Sequence, residues 1–285
     1  MLANDTGQGV PPERLCKLPV FRPIAVRLLS ELAREDADVT LVTNLLNSDP
    51  AFSAEILTLA NSSLYARQTR IDTVHRAIMC LGLERTRAFA ATVALQGMVT
   101  SIKNKTVVQD CWQHSRATAI VAEYLAPFYR IHPEQAYTAA LMHDIGRLGM
   151  LAAYPEYPVL LASAEGTALE VLAQERATFS VNHCDAGFWL TRLWRLPDDF
   201  WSAAGDHHTD IMSAPGDRTD LVRLSCRFAE TFGFRPAPQC AITPIESLID
   251  LIPETVIKRA KYSPEGLSQR LQKQLQLGTE PQPLA

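Results

Sequence analysis

The stretch PEQAYTAALMHDIG, Pro133–Gly146, carries the reading from which the fold follows. Its spacing predicts a helix from Pro133 to Ile145, stopped by Gly146 acting as the residue just past the helix end. Near that end, His143-Asp144 sets an imidazole beside a carboxylate. The pair suits Zn, Mn or Fe, and the carboxylate has two oxygens with which to bridge a second ion. A His-Asp dipeptide alone is weak evidence, since such pairs commonly close a local hydrogen bond.

Outward from this segment the helical period continues in both directions. Upstream, Val39, Val42, Leu45 and Leu46 recur at helical spacing behind a cap at Asp38, and Asp49-Pro50 starts a helix whose one face is Phe52, Ile56, Leu59 and Ala60. Asp72 reads as the cap of a helix carrying Val74, Ala77, Ile78 and Leu81, ended by Gly82. Glu84 to Val99 is a further helix, rich in small residues. The polar run Ser101 to Lys105 is the expected internal boundary. Trp112 to Leu125 precedes the Pro133 helix, and helices are expected near 167–178, 183–195, 198–206 and 219–232. Thr209 to Arg218, with Pro215-Gly216, is a loop long enough to be functional. Beyond Pro236 the sequence predicts one amphipathic piece, Ile245 to Ile257, and then a Gln-rich tail. No period-two stretch supports a strand, so the fold class is all-α, in two packed helical bundles.

The 285 residues fit about two domains, placed at 18–105 and 106–235 after a flexible lead-in (1–17) and before a C-terminal helix and tail (236–285). Hydrophobic residues at 47% and charged residues at 20% provide a sizeable core. The net charge of −4 argues against a non-specific nucleic-acid binder, which needs a concentrated positive field. No run approaches ~18 apolar residues, so no membrane span is expected, and the start lacks the basic and apolar regions of a signal peptide. Six cysteines without a CxxC pair read as reduced thiols in the cytoplasm.

Among seven histidines, His114, His143, His183, His207 and His208 stand out by context; Gly187, one turn after His183, is read as leaving room beside that imidazole. Singly, each has an ordinary reading: a packed core histidine, or an exposed loop pair. Together, Trp112-Gln113-His114-Ser115, Leu141 to Gly146, Asn182-His183 with Gly187, and His207-His208 resemble the HD superfamily of metal-dependent phosphohydrolases. Asp49-Pro50-Ala51-Phe52, Leu59-Ala60-Asn61-Ser62 and Ala77-Ile78 with Leu81 to Arg85 are similar to the N-terminal half of an HDOD domain, a helical bacterial signalling module related to the HD-GYP phosphodiesterases. The resemblance covers roughly Leu18 to Gly233 and makes the second bundle HD-domain-like.

The resemblance implies a first metal set of His114, His143 and Asp144, and a second of Asp144, His183, His207 and His208. The late aspartate of the first set falls on Cys226, which sits in Leu221-Val222-Arg223-Leu224-Ser225-Cys226. Arg147 stands where HD-GYP proteins have lysine, and the Gly-Tyr-Pro loop of that family is absent. Arg116, Arg147 and Cys226 are expected to border a ligand pocket. The expectation is a non-catalytic signalling module acting through a protein partner, with a remnant pocket that holds Zn, Fe, Mn or Ni. The alternative is a metal-dependent phosphohydrolase acting on a nucleotide or phosphodiester.

Overall fold

The computed structural model describes residues 10–18, 23–62, 65, 70–103, 105–211 and 217–279. Its helices, in chain order, are α1 (Glu13–Cys16), α2 (Pro23–Leu32), α3 (Val39–Asn47), α4 (Pro50–Ala60), α5 (Val74–Leu81) and α6 (Leu83–Ser101). There follow α7 (Lys105–Tyr129), α8 (Pro133–Met142), α9 (Ile145–Ala153), α10 (Tyr157–Ser163), α11 (Ala168–Phe179) and α12 (His183–Leu193). The last are α13 (Asp199–Asp206), α14 (Arg218–Thr231), α15 (Ile245–Asp250), α16 (Glu254–Ala260) and α17 (Pro264–Thr279). Outside them, an isolated bridge joins Gly166 to Cys240. No helix among the described residues is long and apolar enough to cross a membrane.

Local chemistry explains the starts. The Asp38 carboxylate accepts from the Thr40 and Leu41 amides, and Asp49 accepts from Ala51 and Phe52, with Pro50 in the first helical position. The cap of α5 is Thr73, one residue later than expected, because Asp72 instead pairs with Arg76 at 2.9 Å. Gly82, at φ 81°, closes α5 and opens α6, a backbone turn that an L side chain strains.

Four further expectations need correction. Helix α8 ends at Met142, and Gly146 lies inside α9 rather than capping α8; the position is glycine because the start of α12 packs directly against it. The piece from Ile245 to Ile257 is two helices, since Pro253 biases its predecessor away from helical backbone. The Gln-rich segment folds as α17, where Leu267, Leu271 and Leu275 recur every four residues and are buried; that stripe packs on α7. In the lead-in, α1 buries Leu15 against α9 and α12.

The long α7 is the axis of the second half, with α8, α14 and α17 against it, while α6 packs on α2 and α8. An ion pair with a buried guanidinium crosses between the early helices and the later ones. Arg87 of α6 donates to both Asp199 oxygens, at 2.9 and 2.7 Å, and lies over the Phe200 ring. Arg218 meets the same carboxylate at 2.8 Å from a more exposed position. Arg218 still pairs Asp199 when Arg87 is removed, so Arg87→Ala loses charge-assisted hydrogen bonds from a buried guanidinium and is expected to cost about 2 kcal/mol in urea unfolding. Arg218→Ala should cost under about 1 kcal/mol. Equal losses for the two variants would refute this ranking.

Candidate metal centre

The centre is assembled from five helix ends and faces. His114 comes from the middle of α7, His143-Asp144 from the junction of α8 and α9, His183 from the first position of α12, His207-His208 from the end of α13, and Cys226 from α14. Glycine permits the junction. A Cβ built on Gly146 would lie 1.9 Å from the His183 carbonyl oxygen and 2.6 Å from the Gly187 nitrogen. Only a residue without a side chain lets α12 lie this close to α9. A Cβ on Gly187 would in turn meet Ala204 at 3.1 Å. The space expected beside His183 is therefore occupied by the packing of α9, α12 and α13. The start of α12 is fixed by Asn182, whose side chain accepts from the Asp185 amide at 2.8 Å, and Arg176 pins Asp185 at 2.7 Å.

Hydrogen bonds set the imidazole tautomers. His114 Nδ1 donates to the Phe234 carbonyl at 2.8 Å, His143 Nδ1 to the Ala140 carbonyl at 2.6 Å, and His207 Nδ1 to the Ala204 carbonyl at 3.1 Å. His183 Nδ1 donates to Glu175 Oε2 at 2.7 Å. Carbonyl and carboxylate oxygens only accept, so each of these Nδ1 atoms carries a proton, and in the His114, His143 and His207 rings, which burial keeps neutral, Nε2 presents a lone pair. Those lone pairs point inward. His114 Nε2 and His143 Nε2 face each other at 3.2 Å. The Nε2 atoms of His183 and His207 lie 3.8 and 3.9 Å from Asp144 Oδ1. His208 joins this group, its donor within 4.8 Å of those of His183 and His207. Burial pushes the His114 and His143 pKa values down to about 3, and those of His207 and His208 well down, so these rings are neutral at pH 7.

Nothing donates to the acceptors in the middle. Neither Asp144 oxygen nor His183 Nε2 has a hydrogen-bond partner, although Asp144 is only 1% exposed. Arg147 Nε lies 3.0 Å from Asp144 Oδ2 in an ion pair. The same guanidinium reaches Glu175 Oε1 and the Tyr157 hydroxyl, both at 3.3 Å, and Tyr157 donates to Glu175 at 2.6 Å. Burial would raise the Glu175 pKa, but His183 and Arg147 hold it down at about 2. Two buried carboxylates thus share one buried guanidinium, and only Glu175 of the two is hydrogen-bonded.

Cys226 Sγ lies 3.5 Å from His114 Nε2. Cys184 Sγ lies 3.9 and 4.0 Å from the two ring nitrogens of His207. Arg116 is placed elsewhere: two residues after His114 it projects to another side of α7, with its guanidinium over the Trp112 ring at 5.9 Å. Glu175 and Tyr157 escaped the sequence reading. Glu175 sits in a charged helical stretch that resembles a solvated face, yet it is fully buried. One signal was available, because Glu175 follows Val171, also buried, by four residues. Of the loop from Thr209 to Arg218, residues 212–216 lie outside the described residues.

Beside His208 and Arg147 is a cavity of about 20 Å³, lined also by Glu230, Arg235 and Cys240. That volume holds roughly one water molecule. Burial raises the Glu230 pKa from 4.5 to about 7, with Arg147 pulling it down and Asp144 pushing it up. The folded chain therefore keeps a proton that the unfolded chain releases, and stability falls as pH rises from 4.5 to about 7. Glu230→Gln is expected to gain on the wild type across that window and to keep a constant advantage above it, as read from urea midpoints at pH 4.5, 6 and 8. A uniform difference at all three would be the contrary result. Gly146→Ala, forced against backbone, should cost at least about 3 kcal/mol in the same assay; near-wild-type stability would show that α9 and α12 separate freely.

The profile of the HDOD domain matches residues 18–210 of this chain. An HDOD domain protein of unknown function from Geobacter sulfurreducens has the same fold, at a TM-score of 0.64 and 24% identity, over 90% of this chain and 84% of that one. A candidate phosphohydrolase from Shewanella amazonensis gives 0.65 at 21% identity, covering 92% and 96%. A candidate signal-transduction protein from Marinobacter aquaeolei also gives 0.65, at 19% identity, covering 92% and 57%. An uncharacterized protein of Treponema pallidum is 20% identical over 216 residues, 74% of this chain, which spans 41% of that relative's length. With the profile extending over most of its length, the chain belongs to the HDOD domain family.

Proposed function

We propose that this protein is a bacterial signalling module of the cytoplasm whose HD-type centre binds a divalent metal ion, Zn, Fe, Mn or Ni, without turning over a substrate. The observation that carries the metal reading is the convergence of the His183 and His207 Nε2 atoms, 3.8 and 3.9 Å from Asp144 Oδ1, with His208 beside them, around a carboxylate that accepts no hydrogen bond. Asp144, His183, His207 and His208 would hold the ion, with three neutral nitrogens and one anionic oxygen. Glu175 fixes the tautomer and direction of His183, as carboxylates behind histidine ligands do. When bound, the ion supplies positive charge that balances Asp144 and ties α9, α12 and α13 together.

Two features support a sensory or structural role over hydrolysis. The donors are buried, and the adjoining cavity of about 20 Å³ is far below the ~300 Å³ or more of ordinary small-molecule sites. Arg147 is committed to Asp144, Glu175 and Tyr157 and is not poised to grip a phosphoryl oxygen. Output through a protein partner fits the fold shared with the Marinobacter signal-transduction candidate. The net charge of −4 disfavours nucleic acid. The six thiols, all free, suit a reducing compartment. We take residues 18–105 and 106–235 as the module's two units. The complete second set, Asp144, His183, His207 and His208, and the fold shared with the Shewanella phosphohydrolase candidate favour the second reading, a metal-dependent phosphohydrolase.

Protein purified without chelator is expected to contain metal, and stripping the metal should lower its melting temperature. Glu175→Gln should weaken binding by about 10–100-fold with helicity unchanged, and an aryl phosphodiester with Mn should be left intact. A metal-free protein indifferent to chelator would defeat the metal reading. Turnover abolished by Asp144→Ala would establish the hydrolase instead.

A further inference from the structure

The His114–His143 contact brings two acceptors within hydrogen-bond distance of each other. Both Nδ1 protons are already given to backbone carbonyls, so the 3.2 Å between the two Nε2 atoms separates lone pair from lone pair. Both rings are buried, so neither nitrogen reaches solvent for a donor. The Cys226 thiol, 3.5 Å from His114 Nε2, has one proton and satisfies one nitrogen at most. A cation between the three atoms satisfies all of them.

The separations match a particular coordination chemistry. An ion that holds imidazole nitrogens at about 2.05 Å and a thiolate at about 2.3 Å, with tetrahedral angles, sets nitrogen about 3.3 Å from nitrogen and about 3.6 Å from sulfur. The observed 3.2 Å between His114 and His143, and 3.5 Å from His114 to Cys226, lie close to both. All three donor atoms fall within 4.8 Å of one another. They come from α7, the end of α8 and α14, so the arrangement is set by tertiary packing and not by one local turn.

Resting on the metal-centre reading above, we propose that His114, His143 and Cys226 form a thiolate-containing zinc site. It is chemically distinct from the donor set of Asp144, His183, His207 and His208. On binding, the Cys226 S–H bond breaks, a sulfur–zinc bond forms and one proton passes to solvent, with no change of oxidation state. Thiolate is a soft ligand, so this half of the centre selects Zn²⁺ or Co²⁺ over Mn²⁺ or Mg²⁺, and the two halves take different ions when both kinds are present.

The full chain, stripped of metal, is titrated with Co²⁺ and followed by absorption. A thiolate-to-cobalt charge-transfer band in the near ultraviolet is expected, removed by added Zn²⁺. Cys226→Ser should lose the band, retain the visible cobalt bands of the other site, and lower the preference for zinc over manganese by at least about tenfold. Cys184→Ser should keep the band. X-ray absorption at the zinc edge of the wild type, which needs no variant to fold, should show one sulfur at about 2.3 Å. Cobalt binding without a thiolate band, a band that disappears in Cys184→Ser instead, or a zinc shell without sulfur overturns this inference and leaves the metal centre standing. No cobalt binding at all overturns both.

Discussion

The contact between Gly146 and the His183 carbonyl is the constraint on which the centre depends. Asp144 and His183 are 39 positions apart in sequence and on different helices, and neither has a reason of its own to approach the other. The absence of a side chain at position 146 lets the two backbones touch, which places His183 at the mouth of α12 beside the carboxylate. Interiors are packed too densely to absorb even one added methyl against backbone. Gly187 repeats the device one layer out, against Ala204, and through that contact α13 is seated so that His207 and His208 arrive from the far side.

Around this contact the chain has accepted an expensive arrangement. Asp144, Glu175 and Arg147 are nearly or fully withdrawn from water, and isolated buried charges are costly unless they are paired. Glu175 is well served: it takes hydrogen bonds from the Tyr157 hydroxyl, the Arg147 guanidinium, and the His183 ring and amide. Asp144 is poorly served, with Arg147 at 3.0 Å, two imidazoles beyond hydrogen-bond distance and no hydrogen bond. The contrast between neighbouring carboxylates is that one is saturated with hydrogen bonds and the other accepts none.

Much of the architecture was legible because helices advertise themselves through periodic apolar residues and caps, as at Asp38 and Asp49. The same rule missed α17, whose three buried leucines are diluted by glutamines, and placed Gly146 at a helix end because glycine there is the commoner reason for its presence. The histidines were legible as a set and not one by one, since His114 and His183 gain meaning only from rings that arrive from other helices. Glu175 was hidden for a physical reason. Its burial depends on Arg147, Tyr157 and His183 converging on it, and no local pattern encodes a meeting of four segments.

The double hold on Asp199 has a mechanical consequence. Helix α13 is eight residues long, about 12 Å from end to end, and too short to bend appreciably. Its first residue is clasped by Arg87 from α6 and Arg218 from α14; its far end runs directly into His207 and His208. A displacement of α6 therefore pushes on one end of a stiff strut whose other end carries two imidazoles. The early helices, which contribute no donor to the centre, hold a lever on its geometry, and the same lever runs in reverse whenever the imidazoles are drawn together.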